Sequence, residues 1–234
     1  MPDRLDLTDV HTHILGSHIL QGVTFNVPLG ETTVLLGRNG AGKSTTLRTV
    51  MGLWPVQSGE IMLDGQSIAN GPPHQVAKQG IGFVPEDREV FASLTVSENL
   101  KLARRGNDFE YKALERIYGM FPDLRAAAGR SAGALSGGQQ QMLAIGRALV
   151  NDNRVILIDE PTKGLAPVIV QRLKEIFGEL KASGETILLV EQNLDFARAV
   201  GGRFFILDEG RIVCGGAMAE LNGNSEVLQR YVGV

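Results

Sequence analysis

Short apolar runs recur along the chain, and Gly, Pro or Asn residues bound them. The runs are Thr33–Leu36, Ile81–Val84, Val155–Ile158, Ile187–Val190 and Phe204–Leu207. None of them alternates polar and apolar residues, which is typical of strands that are buried on both faces of a parallel sheet. Buried helical turns can produce the same pattern over so short a length, so periodicity alone leaves both possibilities open.

Helical periodicity appears between these runs. From Pro167 to Ala182 the apolar residues form a single stripe at helical spacing, and Gly184 follows as a stop signal. The stripe consists of Ile169, Val170, Leu173, Ile176, Phe177 and Leu180. Strand-like runs that alternate with such helices predict an α/β fold with a parallel-sheet core.

The segment from about residue 87 to residue 150 shows helical signals and no convincing strand. A capping box from Thr95 to Glu98 predicts the start of a first helix. The second helix is predicted from a stripe of Tyr111, Leu114, Tyr118 and Phe121, and the third spans Gln139–Val150. We therefore expect an inserted helical subdomain within a single domain covering residues 1–234.

The chain before Gly37 is predicted to be β-rich. Its strand-like segments are Leu5–Val10, Val23–Val27 and Thr32–Leu36, separated by turn residues. A helix is predicted over Lys43–Met51. The expected order is thus an N-terminal β-rich part, the sheet core and the helical insertion.

Composition excludes several classes of function. The net charge is −3 and the pI is near 5.8, which gives no electrostatic case for a nucleic-acid partner. The single cysteine, Cys214, cannot form an internal disulfide, which fits a reducing compartment. No run of about 18 apolar residues occurs, so we expect this chain not to cross a membrane itself.

The segment Gly37–Ser44 is the strongest chemical signal, and we call it the phosphate loop. Its residues are Gly37, Arg38, Asn39, Gly40, Ala41, Gly42, Lys43 and Ser44, and they match G-x-x-x-x-G-K-[ST]. In such loops the backbone N–H groups surround nucleotide phosphates, the lysine contacts the terminal phosphates and the hydroxyl ligates Mg²⁺. The loop lies between a predicted strand and a predicted helix, as this motif requires. We expect this loop and the adjoining Thr45 to bind ATP.

A second segment with anion-binding features is Ser136-Gly137-Gly138-Gln139, which we call the serine-glycine segment. It precedes the third predicted helix, so its N–H groups and the helix dipole favour an anion. An ordinary N-cap by Ser136 would explain the same sequence equally well.

Asp159 and Glu160 follow the apolar run Val155–Ile158 and form the third segment. A carboxylate pair without a role would be costly to bury at a strand end. We expect Asp159 to hold Mg²⁺, directly or through water, and Glu160 to orient and deprotonate the water that attacks the γ-phosphate.

The three segments in this order resemble the ATPase subunit of an ATP-binding-cassette (ABC) transporter, over nearly the whole chain. The resemblance implies a P-loop ABC ATPase fold in which two cassettes meet head to tail around two ATP molecules. In that arrangement the counterpart of Ser136 binds the γ-phosphate held by the opposite subunit.

Three further site residues are implied by the same resemblance. Ile14 stands where many of these ATPases stack an aromatic ring on adenine, and it offers no aromatic face. Glu86 stands where a glutamine usually contacts Mg²⁺ and the attacking water. Gln192 stands where a histidine usually contacts the γ-phosphate, and its neutral amide can still donate a hydrogen bond.

Several segments resemble one branch, the ATPase subunits of branched-chain amino acid importers. They are Pro85–Arg88, Leu94–Leu100, Glu160–Pro167 and Val190–Asn193. The resemblance implies transmembrane permease subunits, a second ATPase subunit that is a paralogue or a copy, and an external solute-binding protein that acts indirectly. It places the chain peripherally on the cytoplasmic face of the inner (plasma) membrane, with the permease contact around Arg88–Asn99. Phe91 is either an anchor in that contact or a local core residue.

Other functions stay open at this point. An importer for urea or amides fits the same segments, and so does a weakly catalytic nucleotide sensor, given Glu86 and Gln192. DNA-repair ATPases of this superfamily separate the two nucleotide motifs by long coiled coils, and translation factors join two cassettes; neither feature occurs here. The pair His11 and His13 resembles the metal-binding start of amidohydrolases, but only His18 and His74 remain as further imidazole ligands.

Overall fold

The computed structural model describes residues 3–105, 111–223 and 225–232. The strands are β1 Asp3–Ile14, β2 Ser17–Pro28, β3 Thr32–Leu36, β4 Ser58–Leu63, β5 Gln66–Ser67, β6 Ile81–Val84, β7 Val155–Asp159, β8 Ile187–Val190, β9 Arg203–Asp208 and β10 Arg211–Ala217. The helices are α1 Lys43–Val50, α2 Pro73–Lys78, α3 Val96–Ala103, α4 Tyr111–Met120, α5 Pro122–Ala126, α6 Gly137–Leu149, α7 Pro167–Ala182, α8 Leu194–Val200 and α9 Ser225–Tyr231. Two 3₁₀ turns cover Ala132–Ala134 and Met218–Gly223.

The strands form two sheets. The first is antiparallel with the order β2-β1-β4-β5, and the second has the order β10-β9-β3-β8-β7-β6. Within the second sheet β9, β3, β8, β7 and β6 are mutually parallel, and only β10 pairs antiparallel, with β9. All five apolar runs therefore lie in this parallel part, as the sequence predicted.

The uninterrupted apolar runs have a direct packing reason. Along β7, Val155 and Leu157 pack into the core that the parallel sheet shares with the first sheet. Ile156 and Ile158 pack into a second core on the opposite face, together with helices of the insertion and α7. Since both faces of the strand are covered, its first four residues are all apolar, and the one polar residue, Asp159, lies at the carboxyl end.

The region around residues 87–150 contains α3, α5 and α6, together with α4 and the first 3₁₀ turn, and among its described residues the only bridge joins Thr95 and Ser131. The predicted capping box of Thr95 and Glu98 is present at the start of α3. The predicted stripe on α4 was partly wrong. Tyr111 is 70% exposed, and Phe121 caps the following helix α5, because a proline at position 122 starts a new helix.

The N-terminal prediction gave β3 its correct bounds but made β1 and β2 too short. β1 and β2 are each 12 residues long and form one hairpin that turns at Leu15 and Gly16. β3 belongs to the parallel sheet, as its apolar run predicted, and β4 and β5 were not predicted. The hairpin pairing shifts register at several points, which breaks the regular alternation that sequence analysis depends on. The fold class is nevertheless confirmed: a parallel-sheet α/β core with an antiparallel layer and helical insertion.

Candidate nucleotide site

The phosphate loop connects β3 to α1, so it lies at the carboxyl end of a central parallel strand. Gly37 has φ 148°, and a Cβ atom there would lie 2.2 Å from the backbone oxygen of Leu207. Gly42 is the N-cap of α1, with φ 107° and no side-chain capping bond. The first N–H groups of α1 therefore point into the loop without a side chain of their own to satisfy them.

Lys43 lies folded within this loop. It is only 5% exposed, and its Nζ donates to the backbone oxygens of Gly37, at 2.9 Å, and Arg38, at 3.1 Å. Burial lowers the pKa of Lys43, and the nearby Glu160 carboxylate opposes that shift. A phosphate group would offer this ammonium a stronger partner than two neutral carbonyl groups.

Asp159 ends β7 beside the loop and is fully buried. Ser44 Oγ donates to Asp159 Oδ1 at 3.1 Å. Asp159 Oδ2 is buried and has no hydrogen-bond partner among the described residues. Burial raises the pKa of Asp159 to about 6; the Ser44 bond opposes this shift, and repulsion from Glu160 and Glu86 adds to it. A hydroxyl and an unsatisfied carboxylate oxygen are ligands that Mg²⁺ prefers, so these residues fit the ion.

Glu160 follows β7 with φ 44°, a left-handed conformation that is unusual for a glutamate. Its backbone N–H donates to Val190 O at 2.9 Å, which fixes the turn. Its side chain accepts a 2.5 Å hydrogen bond from Gln192 Nε2 and lies 3.6 Å from Lys43 Nζ. Such strain at a buried carboxylate, held by several partners, is typical of a functional position.

Gln192 connects two parts of the site. Besides Glu160, its Nε2 donates to Asn39 Oδ1 at 2.5 Å, so one amide group links the carboxylate to the phosphate loop. Glu191, which the sequence analysis missed, holds the turn: its carboxylate accepts bonds from the backbone N–H and hydroxyl of Thr162 and from the N–H groups of Gln192 and Asn193. It is 2% exposed, and burial raises its pKa.

Glu86 forms an ion pair with Lys163. The hydrogen bond to Glu86 is the main cause of the raised pKa of Lys163. Lys163 Nζ also lies 4.0 Å from Glu160 Oε2. Sequence analysis had not assigned a role to Lys163, because nothing in the local sequence shows that residues 86 and 163 meet.

These residues surround a cavity of about 370 Å³, which we call the nucleotide cavity. It is lined by Ile19, Asn39, Gly40, Gly42, Lys43, Ser44, Thr45, Glu86, Glu160 and Lys163. A neighbouring cavity of about 230 Å³ is lined by Asn39, Glu160, Thr162, Lys163, Glu191, Gln192 and Asn193. The other three residues of the phosphate loop, Gly37, Arg38 and Ala41, do not line the nucleotide cavity.

Ile14 does not line the nucleotide cavity, whereas Ile19 does. Ile14 is the last residue of β1 and pairs with Ser17 beside the hairpin turn. Ile19 lies on the returning strand β2, and its backbone oxygen would be 3.5 Å from a Cβ atom on Gly42. Ile19 therefore lies beside the phosphate loop, and the placement of Ile14 where other ATPases stack a ring on adenine stays a prediction.

The serine-glycine segment lies apart from both cavities. Ser136 is the N-cap of α6: Gln139 N donates to Ser136 Oγ at 3.3 Å, and Ser136 N donates to Gln139 Oε1 at 3.1 Å. Ser136 and Gly137 are exposed. Gly138 is buried, and a Cβ atom there would lie 2.9 Å from Ile169 Cγ1 of α7. The alternative that the sequence left open, an ordinary N-cap, is present in the structure.

The hairpin histidines form a contact cluster. His11 Nδ1 lies 3.0 Å from His18 Nε2, and the rings of His13 and His18 stack with centroids 4.1 Å apart. Within the described ranges, no group of three or more His, Cys, Asp or Glu side chains has the arrangement of a metal site. Among the same residues, no helix is both long and apolar enough to cross a membrane.

Comparison with known proteins identifies the type of site. A family model described as ABC transporter matches residues 20–163. The branched-chain amino acid transport ATP-binding protein BraG of Pseudomonas aeruginosa is 39% identical over 232 residues, which cover 98% of this chain and 99% of that protein. A probable branched-chain amino acid transport ATP-binding protein, LivF of Archaeoglobus fulgidus, is 41% identical and covers 93% of each chain.

Solved structures agree with these sequence relatives. The ADP conformation of an ATP-binding cassette of an ABC transporter superposes with a TM-score of 0.84 at 26% identity and covers 100% of both chains. A dimeric bacterial ABC transporter cassette superposes with a TM-score of 0.82 at 28% identity, covering 92% of this chain and 98% of the other. The resemblance predicted from the sequence motifs is confirmed.

Proposed function

Because this chain belongs to the ABC transporter family, we propose that it is the ATP-binding and ATP-hydrolysing subunit of an importer for branched-chain amino acids. The relatives BraG and LivF, which match nearly its whole length, are named for that transport. The observation that carries the catalytic part is that Lys43, Ser44 and Glu160 line one cavity at the carboxyl ends of parallel strands, with Asp159 hydrogen-bonded to Ser44 behind it.

The phosphate loop binds the phosphates of ATP in this proposal. The uncapped N–H groups at the start of α1 and the Lys43 ammonium face the cavity and favour an anion. Ser44 and the unsatisfied Oδ2 of Asp159 hold Mg²⁺, which supplies positive charge for the phosphates. Ile19 packs beside the loop and supplies apolar surface for the nucleotide.

Glu160 is the proposed general base for hydrolysis. Its carboxylate takes a proton from water while the water oxygen bonds to the γ-phosphorus and the bond from that phosphorus to ADP breaks. Lys43 and Gln192 hold the carboxylate within 3.6 Å and 2.5 Å. Gln192 thereby positions the base, and its hydrogen bond to Asn39 fixes the base relative to the phosphate loop.

The active unit is proposed to be a head-to-tail pair with a second ATPase subunit, a paralogue or a copy of this chain. Ser136 lies outside the nucleotide cavity of its own chain. Its hydroxyl accepts the capping bond from Gln139 N and still has its hydrogen to donate. A phosphate presented by the partner subunit can therefore use this hydrogen without breaking the cap.

Transmembrane permease subunits are the other proposed partners. A groove of about 560 Å³ is lined by Arg48, Met51, Leu53, Trp54, Phe83, Pro85 and Glu89. An apolar groove with a charged rim fits a short amphipathic helix. The nearby Phe91 is 45% exposed, with the Arg147 guanidinium 4.7 Å from its ring centre. In this arrangement the chain lies peripherally on the cytoplasmic face of the membrane, and the external solute-binding protein acts on it only through the permease.

Reconstitution tests this function. The chain is assembled with its permease subunits and partner ATPase in vesicles, with the solute-binding protein on the opposite side. We expect ATP hydrolysis to rise when leucine, isoleucine or valine is added, and to remain at background in a matched assembly carrying Glu160→Gln. Stimulation by urea or an amide, without response to the aliphatic amino acids, would contradict the proposed substrate but would still support an importer function.

A further inference from the structure

A second cavity, far more basic than the rest of the protein, lies outside the nucleotide site. It has a volume of about 480 Å³, and we call it the basic cavity. Its described lining contains five basic residues and one acidic residue: Lys78, Arg104, Arg105, Lys112, Arg116 and Asp152. The whole chain carries a net charge of −3, so the lining of this cavity is positively charged although the chain as a whole is negatively charged.

The basic cavity and the nucleotide cavity lie at opposite ends of the same strands. Gly80, which lines the basic cavity, directly precedes β6, and Asp152 lies shortly before β7. Glu86 and Asp159, by contrast, lie at the carboxyl ends of these two strands. Because β6 and β7 are parallel, the basic cavity cannot be an extension of the ATP site.

Two arginines of the basic cavity are held in place by backbone and amide oxygen atoms, and Arg116 also forms an ion pair with Glu185. The half-buried Arg105 guanidinium donates to Ala77 O and Asn153 Oδ1, and its backbone N–H donates to Asn151 Oδ1 at 2.7 Å. Burial lowers the pKa of Arg105, and Asp152 opposes the shift. Arg116 Nη2 donates to Leu149 O at 2.5 Å. These bonds fix both guanidinium groups. Glu185 Oε1, 3.5 Å from Arg116 Nη1, offsets part of the charge there, whereas Arg105 forms no ion pair among the described residues, so positive charge remains for an anion.

Two lysines also line the basic cavity. Lys78 ends α2 and Lys112 lies in the first turn of α4, and both are exposed. Neither forms an ion pair within the described parts of the chain. Flexible ammonium groups above two fixed guanidinium groups suit an anion with several charged oxygens better than a single carboxylate.

We propose that the basic cavity binds a phosphate-bearing anion. Its volume lies in the range of small-ligand pockets, about 300–1,000 Å³. The phosphate can belong to a free molecule or to the head group of an anionic lipid. A lipid is one of the two because the basic cavity adjoins a groove of about 310 Å³, with which it shares Arg105 and Asn151 and which is also lined by Phe83 and Pro85. The proposal does not depend on the transport function.

The test uses two probes on the full chain with ADP saturating the nucleotide cavity. Pyrophosphate binding is measured by isothermal titration without Mg²⁺, and binding to vesicles of phosphatidylglycerol with phosphatidylcholine is measured by flotation, against vesicles of phosphatidylcholine alone. The test variant is Lys78→Ala/Lys112→Ala. Its matched control, Lys174→Ala/Lys181→Ala on α7, removes the same charge from outside the basic cavity.

We expect the test variant to lose about tenfold in affinity for at least one probe, while the control changes less than about twofold. Loss for pyrophosphate alone identifies a free phosphate compound as the ligand class, and loss for the anionic vesicles alone identifies a lipid head group. Equal changes in the test and control variants for both probes would overturn the proposal, because nonspecific charge would then explain the binding.

A second inference concerns the ion pair of Glu86 and Lys163, and it rests on the proposed ATP hydrolysis. Glu86 lines the nucleotide cavity, where a negative charge repels phosphates. Lys163 lines the same cavity and binds the Glu86 carboxylate. We infer that Lys163 is a positioning residue that makes the Glu86 side chain electrically neutral toward ATP.

A double-mutant cycle tests this inference, using wild type, Lys163→Ala, Glu86→Gln and the double variant. We expect Lys163→Ala to raise the KM for ATP about fivefold, because it leaves an unpaired carboxylate beside the phosphates. The same change should have a clearly smaller effect on KM in the Glu86→Gln background, where no carboxylate is left unpaired at position 86, and Lys163→Arg should retain the wild-type KM. An equal effect of Lys163→Ala in both backgrounds would overturn the inference. A wild-type chain that binds but does not hydrolyse ATP would instead contradict the proposed function.

Discussion

The phosphate loop and the serine-glycine segment both place backbone N–H groups at the start of a helix, yet they lie in different surroundings. The phosphate loop has an uncapped helix start, a buried lysine and two buried carboxylates next to it, of which Glu160 lines the nucleotide cavity and Asp159 is hydrogen-bonded to Ser44. The serine-glycine segment is exposed and caps itself through Ser136 and Gln139. The start of a helix becomes a functional site only when the fold places other side chains beside it. For the phosphate loop these side chains come from the same chain, whereas the serine-glycine segment requires a partner subunit.

The largest expected effect concerns the carboxylate beside the phosphate loop. Glu160→Gln should reduce ATP turnover about 1,000-fold and leave ATP affinity nearly unchanged, because glutamine can orient water but cannot take its proton. Single-turnover kinetics and equilibrium ATP binding measure the two quantities. Glu179→Gln on α7 is the control for a lost surface charge. Turnover that survives in Glu160→Gln would assign the base to another group.

Removing the cation of the phosphate loop should have the next largest effect. Lys43→Ala should weaken ATP binding about 100-fold, since the loop loses its only buried ammonium for the phosphates. Titration with ATP in the presence of Mg²⁺ checks this, and Lys181→Ala serves as a lysine control on the surface. Wild-type affinity in Lys43→Ala would mean that the backbone N–H groups alone hold the nucleotide.

Asp159 provides a pH-dependent test of the same site. Its folded pKa of about 6 exceeds the ordinary value of 3.8, so the folded state holds this proton more tightly than the unfolded state. The resulting stabilisation is complete below pH 3.8 and is lost as pH rises through about 6. Asp159→Asn should therefore raise the free energy of unfolding by about 3 kcal/mol at pH 8 without Mg²⁺.

The advantage of Asp159→Asn should vanish near pH 4, where the wild-type carboxyl group is protonated in the folded state. Chemical denaturation at the two pH values measures this difference. The variant should also lose Mg²⁺-dependent ATP binding, because an amide is a weaker ligand than a carboxylate. A pH-independent difference in stability would mean that Asp159 is not destabilised by burial.

The smallest expected effect separates capping from phosphate binding. Ser136→Ala and Thr95→Ala each remove a capping box from a helix of the same region, and each should cost about 1 kcal/mol of unfolding free energy. Only Ser136→Ala should also lower the ATP turnover of the chain at high concentration, where cassettes pair. Equal turnover in both variants would assign Ser136 to capping alone.

Local patterns were enough to predict most of the central site. The parallel strands, α7, the phosphate loop, Asp159 and Glu160 all follow from contiguous residues, because strand burial and loop chemistry depend on neighbours along the chain. The capping box of Thr95 and Glu98 could likewise be predicted from the sequence, because its two residues are three positions apart. Resemblance to the ABC family supplied the places of Glu86 and Gln192, which no local pattern marks.

Only the tertiary structure decided which distant side chains meet. The β1–β2 hairpin brings Ile19 to the lining of the nucleotide cavity, and residues 77 positions apart in sequence form the Glu86–Lys163 pair. The basic cavity likewise collects cations from α2, from α4 and from the two residues that follow α3. The sequence determined the chemistry of each segment because that chemistry is local, whereas the contacts between segments depend on strand order and register, which the packing of the whole core sets.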